Sequence, residues 1–183
     1  ILIRLWPLFL AATVTVSIGA KALTSVDLTV LSALLGALLM TYAVVNLSGL
    51  RFNLKTRDEW WVGSLTGSVN GILTGMTGSF VVPGVFYLQS IGLRRDVLIQ
   101  SMGILFTTST LALIFSLKTN EFLTSKLAVW STISLVPSII GVLIGQQIRQ
   151  WLSERTFRKI FFFSLLVIGT YIIVTALKNY ILS

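Results

Sequence analysis

The chain reads as an all-α, polytopic membrane protein, and three observations predict it. Hydrophobic residues make up 55% of the 183 positions and charged residues only 11%, and the mean hydropathy of +0.91 is far above that of an ordinary soluble domain. The charges fall in short clusters, leaving uncharged runs that mostly match the roughly 20 residues a helix needs to cross a bilayer. No run alternates with a period of two between regular turns, as a transmembrane barrel would require.

The runs in order are Leu5 to Ala20, Leu28 to Leu50, Trp60 to Leu93, Val97 to Leu117, Leu127 to Ile148 and Ile160 to Leu177. Trp6, Trp60, Trp61, Trp130 and Trp151, with Tyr87 and Tyr180, lie near their ends, where amphipathic rings prefer the headgroup level. The first run opens on Leu5-Trp-Pro7, which is similar to Leu135-Val-Pro137 in the fifth. Thr41-Tyr-Ala-Val-Val, near the end of run two, is similar to Thr170-Tyr-Ile-Ile-Val in the sixth. An internal duplication is the reading of both matches. The expected layout is therefore two homologous four-element halves: 1–50 the last two helices of the first half, 51–59 a connecting loop, and 60–183 the second half with elements 60–93, 97–117, 127–148 and 160–177. The chain starts at Ile1 inside membrane-like sequence without a signal-peptide pattern, so about 70 residues of the first half are expected upstream.

The third run decides the topology. As one helix at about 1.5 Å per residue it would be about 50 Å long against a hydrocarbon core of about 30 Å, so it has to break or fold back. The break is expected at Gly75 to Ser79, where glycine lifts the steric limit on φ, with Ser79 capping a new helix and Pro83 in its first turn. If the run crosses the membrane, the 14 basic residues split evenly. If it is a re-entrant hairpin, Arg4, Arg51, Lys55, Arg57, Arg94, Arg95, Arg149, Arg155, Arg158 and Lys159 share one side against Lys21, Lys118, Lys126 and Lys178. The latter arrangement obeys the positive-inside rule and makes the halves inverted copies.

Cysteine and histidine are absent, which removes thiol chemistry and the commonest transition-metal ligands, and no cofactor or metal is implied. The net charge of +8 is spread over every loop without interleaved aromatics, so nucleic acid is not a partner; the lipid bilayer is. General acids and bases are missing from the membrane runs and the loops are short, so an enzyme is disfavoured. No Asp or Glu lies in the core of any run, which takes away the usual proton relay.

The broken run carries the candidate site. Gly75, Thr77, Gly78, Ser79, Phe80 and Pro83 sit where free backbone N–H groups at a half-helix start, with two hydroxyls, suit a small anion. Gly67-xxx-Gly71-xxx-Gly75 is equally a close helix contact. On the following helix Gln100, Ser101, Thr107 and Thr108 have the spacing of one face, which lines a solute path or bonds its own carbonyls. Asn70 is expected to tie the hairpin to a neighbour. Arg94 and Arg95 read as topology determinants, Asp96 as a helix cap. Pro7 and Pro137 read as kinks, Gly141 and Gly145 as a packing seam.

Thr77-Gly78-Ser79-Phe-Val-Val-Pro83-Gly84, then Gly92-Leu-Arg-Arg-Asp96, then Val136-Pro137 with Gly141-xxx-Gly145 and Leu152-Ser-Glu-Arg-Thr-Phe157-Arg158, resembles the sulfite exporter TauE/SafE family. The resemblance covers Trp60 to the C-terminus, with residues 1–48 as the tail of the first half. It implies a multi-pass carrier of sulfite and organosulfonates in a bacterial-type inner membrane; a homodimer is left open. An anion channel and a non-transporting membrane scaffold are the alternatives from the residues themselves.

Overall fold

A computed structural model describes residues 2–23, 25–50, 53–119 and 125–182. Every regular element among them is helical: α1 (Leu2–Ala22), α2 (Leu28–Leu47), α3 (Glu59–Thr77), α4 (Gly84–Ser90), α5 (Arg95–Thr119), α6 (Ser125–Trp151) and α7 (Glu154–Leu182). Five are long and apolar enough to cross a membrane, namely α1, α2, α5, α6 and α7. The chain is thus an all-α polytopic membrane protein. Arg51 of the expected basic side lies outside the described residues, as do the side chains of Lys126 and Arg149.

Small residues set the central contact. In α3 the glycines 63, 67, 71 and 75 recur every four residues and are all buried, giving a side-chain-free stripe on which another backbone can lie. α1 lies along it in parallel. A Cβ on Gly67 would run into the Leu8 carbonyl, one on Gly71 into that of Ala12, and one on Gly75 into that of Val16. Each step is four residues on both helices, so the register is constant. Thr15 fixes it further by bonding the Ser68 carbonyl at 3.0 Å as well as its own Ala11 carbonyl at 2.7 Å. α5 covers the other side of α1, and Leu5, Leu8, Phe9 and Ala12 meet Tyr87, Leu88, Ile91 and Leu105 in the core.

α2 and α7 form the second pair, antiparallel, closed by Gly36 against Gly169: a Cβ on Gly36 would lie 2.9 Å from the Gly169 carbonyl, one on Gly169 3.0 Å from the Gly36 carbonyl. Asp27 starts α2 as its N-cap, accepting the Thr29 N–H at 2.6 Å, a bond that holds its carboxyl below the ordinary range. Pro7 and Pro137 lie inside continuous helices. Gly141 and Gly145, expected to pack, have open space where a Cβ would stand, and α6 residues 129–148 are exposed almost throughout.

The third run breaks and folds back. α3 ends at Thr77, and Gly78 takes the left-handed conformation at φ 70°, its N–H closing on the Thr74 carbonyl at 2.8 Å. The returning arm brings its end to the level where α3 began: the Tyr87 hydroxyl donates to the Glu59 carbonyl at 2.8 Å, and Leu54 N–H to the Ser90 carbonyl at 2.9 Å. One expectation needs correcting. The helix after the break begins at Gly84, with Pro83 as its N-cap, and not at Ser79. Proline disfavours helical backbone in the residue before it, and residues 78–83 lie outside any helix.

Candidate functional site

The fold-back encloses its own polar centre. Asn70 is fully buried on α3, and its side-chain oxygen accepts the Gly84 N–H at 2.9 Å, so the amide anchors the first turn of α4. A Cβ on Gly84 would stand 2.8 Å from that oxygen and 2.9 Å from Leu105 Cδ2 of α5. Only glycine lets α3, α4 and α5 converge here. One turn nearer the break, buried Thr74 donates its hydroxyl to the Ser79 carbonyl at 2.9 Å, across the reversal.

Two donors in this region find no acceptor among the described residues: the Asn70 Nδ2 amide and the Ser109 hydroxyl, both buried. Ser101, Leu105 and Ser109 are the fully buried stripe of α5 at spacing of four, so Ser109 is one turn beyond the Leu105 that meets Gly84. Leaving such groups unpaired in an apolar interior costs about 1–3 kcal/mol each. A buried place with neutral donors to spare suits an acceptor-rich solute.

The residues singled out from sequence distribute unevenly. Thr77, Gly78 and Ser79 form the turn itself. The Thr77 hydroxyl donates to the Leu73 carbonyl at 2.7 Å and accepts the Ser79 N–H at 3.2 Å, so it caps the helix end. Phe80 leans on Phe106 of α5 with ring centres 6.1 Å apart, and Pro83 precedes α4. Gly75 belongs to the α1 seam. The N–H groups at the start of α4 are partly engaged, by Asn70 and by the Val81 and Pro83 carbonyls.

On α5 the expected single face separates. Ser101 is buried and bonds the Val97 carbonyl at 2.8 Å. Gln100 and Thr107 are exposed and share a shallow outer groove with Gly103 and Thr108. The signal that finds the inner face is the spacing 101, 105, 109, which places two serines around one leucine. Sequence reasoning left Ser109 and Thr74 out of the candidate site and gave Asn70 only a tethering role.

A sequence model of the family described as sulfite exporter TauE/SafE matches residues 2–172. No curated protein and no solved structure matches the chain. The family match runs from α1 through the fold-back and into α7, taking in both helix pairs and the buried amide between them; the chain belongs to the sulfite exporter TauE/SafE family, a family of membrane transporters.

Proposed function

We propose that the protein is a secondary carrier of a small sulfur-containing anion, sulfite or an organosulfonate, in a bacterial-type inner membrane, and that the anion is held beside the α3–α4 fold-back. The observation that carries this reading is the pair of buried, unpaired donors, Asn70 Nδ2 and Ser109 Oγ, the first on the residue that holds Gly84 and the second one turn along α5 from the Leu105 beside Gly84. Sulfite oxygens accept hydrogen bonds and offer none when fully ionised, so donors with spare capacity complement them. A charged lysine or arginine at the same depth would itself be costly in lipid. Neutral amide and hydroxyl donors give a shallower well.

The test is radiolabelled sulfite flux into proteoliposomes holding the full-length protein and its Ser109→Ala variant. Removing an unpaired hydroxyl leaves the fold as stable or more so. Saturable flux whose KM rises by about tenfold in the variant, the equivalent of about 1.4 kcal/mol, supports the site. Saturable flux identical in the two proteins removes Ser109 from it. Absence of flux for sulfite and a panel of sulfonates under both proton and sodium gradients overturns the carrier.

A further inference from the structure

At the end of the molecule where α4 returns, the structure assembles a polar cleft separate from the buried centre of the fold-back. It has two adjoining lobes of about 560 and 430 Å³, which share Asn46 of α2, Gln89 of α4 and Arg158 of α7. Arg95, at the start of α5, lines the second lobe, and Asn53 the first. Among the described residues no Asp or Glu lines either lobe. Two guanidinium groups and three amides without a carboxylate among them make a surface selective for negative charge.

The position of Arg158 is built. It donates to the Asn46 carbonyl at 2.7 Å, on the last turn of α2, and its guanidinium carbon stands 5.8 Å from the centre of the Phe162 ring. Phe162 is itself buried and set edge-on to Tyr42, with ring centres 5.4 Å apart. A guanidinium offers five N–H donors in a rigid fork, and a single carbonyl leaves most of them for another acceptor. The aromatic backing limits where the fork can point, so little side-chain freedom is lost when an oxyanion docks.

We propose that this cleft is a second anion site, an antechamber in which Arg158 and Arg95 take an oxyanion group, free in solution or carried by a lipid headgroup, with Gln89 and Asn46 beside it. The expected occupant is the free small anion. Gln89 stands near the end of α4, whose seven residues span about 10 Å of rise between the antechamber and the buried Asn70. That an anion passes from one to the other rests on the carrier reading; that it binds in the cleft does not.

These 183 residues hold no cysteine, so Asn53→Cys, in a full-length protein with every cysteine elsewhere replaced by serine, is a clean reporter inside the cleft. The protein is placed in phosphatidylcholine vesicles, and the introduced thiol is labelled with a sulfonate-bearing methanethiosulfonate and, separately, with its trimethylammonium analogue. Normalised to a free thiol, the anionic reagent should react about tenfold faster than the cationic one, and Arg158→Gln should bring the two rates close together. Millimolar ethanesulfonate should slow both. Arg158→Lys should keep the charge preference and lose most of the protection, because it keeps the charge without the fork. Arg95→Gln serves as the second variant should Arg158→Gln fail to fold, and should narrow the rate difference in the same direction. Protection by phosphatidylglycerol in the vesicles, with none by ethanesulfonate, would support an oxyanion site and make the lipid headgroup its occupant. Equal rates for the two reagents in the parent, or protection by neither anion, would overturn the site. Since none of these readouts needs transport, a protein that shows them but moves no sulfite keeps the cleft and loses the carrier.

Discussion

Arg4 and Glu59 face each other across the first turns of α1 and α3 in a two-pronged ion pair, Nε to Oε2 at 2.7 Å and Nη2 to Oε1 at 2.6 Å. The same guanidinium reaches the Ile91 carbonyl at 3.4 Å, so one side chain ties together the start of α1, the start of the fold-back and its end. Glu59 is 6% exposed, whereas the Arg4 side chain is 45% exposed. Removing only the arginine strands a buried carboxylate; removing both leaves nothing charged behind. Arg4→Leu should therefore destabilise by about 2 kcal/mol, discounted from the fully buried case for the exposure of Arg4, and Arg4→Leu with Glu59→Leu should recover most of that loss. Thermal unfolding in detergent across the four-member cycle measures it, and strictly additive losses would show that the pair is not coupled.

The glycines of this chain do different jobs, and substitution separates them. At Gly71 a Cβ would overlap the Ala12 carbonyl and the Thr15 hydroxyl, so Gly71→Ala has to push α1 and α3 apart and should cost about 2–3 kcal/mol. At Gly103 a Cβ has open space in mid-helix. Gly103→Ala should stabilise by up to about 1 kcal/mol through helix propensity. Gly78 also has space but sits at φ 70°, so Gly78→Ala should cost about 1 kcal/mol as backbone strain, with the α1–α3 seam untouched. Unfolding midpoints of the three variants, read together, test the division; a neutral Gly71→Ala would refute the seam.

Asn70 is the residue whose loss should be felt in both stability and transport. Its oxygen holds the Gly84 N–H, and no substitution by an apolar residue replaces that acceptor. Asn70→Leu should destabilise by about 1–3 kcal/mol and loosen the return of α4, leaving the Gly84 N–H unpaired. Faster hydrogen exchange confined to 78–90 is the signature to look for. Exchange spread evenly over α3 and α5 would mean that the amide does not anchor the hairpin.

The spans were legible because the solvent dictates them. A lipid-exposed backbone has to bond within its own segment, so uncharged runs become helices and charges mark their ends. The fold-back was legible for a similar reason, since residues 60–93 are too long for one crossing and rich in glycine at one point. Sequence spacing could not tell which glycines serve packing and which serve the turn, because Gly75, helical and pressed on α1, and Gly78, left-handed with open space around it, differ only in backbone conformation and neighbours. The antechamber was invisible in the sequence. Arg95 and Arg158 stand far apart along the chain, each with the composition of an ordinary flanking charge, and only the fold brings the start of α5 and the start of α7 to one cleft. In the sequence Ser109 is one of several hydroxyls along the run from Val97 to Leu117. Its meaning depends on the inward stripe with Ser101 and Leu105, and that stripe is fixed by how α5 rotates against α1.

Topology can be read directly, and the reversal of the third run gives a sharp expectation. Leu54 bonds Ser90, and Arg4 reaches both Glu59 and Ile91, so the segments before and after the fold-back emerge at one end of the helix cluster. The loop between α1 and α2 lies at the other end, a full helix length away: from Arg4 to the end of α1 (Leu2–Ala22) is close to the thickness of a hydrocarbon core at about 1.5 Å per residue. Lys55, Arg94 and Ser25 are all exposed, and none of them takes part in the contacts that build the fold-back. Single cysteines replacing Lys55 and Arg94 should react with an impermeant maleimide from the same side of sealed, oriented vesicles, and one replacing Ser25 from the opposite side. The basic ends of the helices then share one face of the membrane, as the positive-inside rule demands for the cytoplasmic face. Labelling of 55 and 94 from opposite sides would mean that the third run crosses the bilayer and that the fold-back does not survive there. Anion access to Asn70 would then have to come through the span itself and not from the antechamber end.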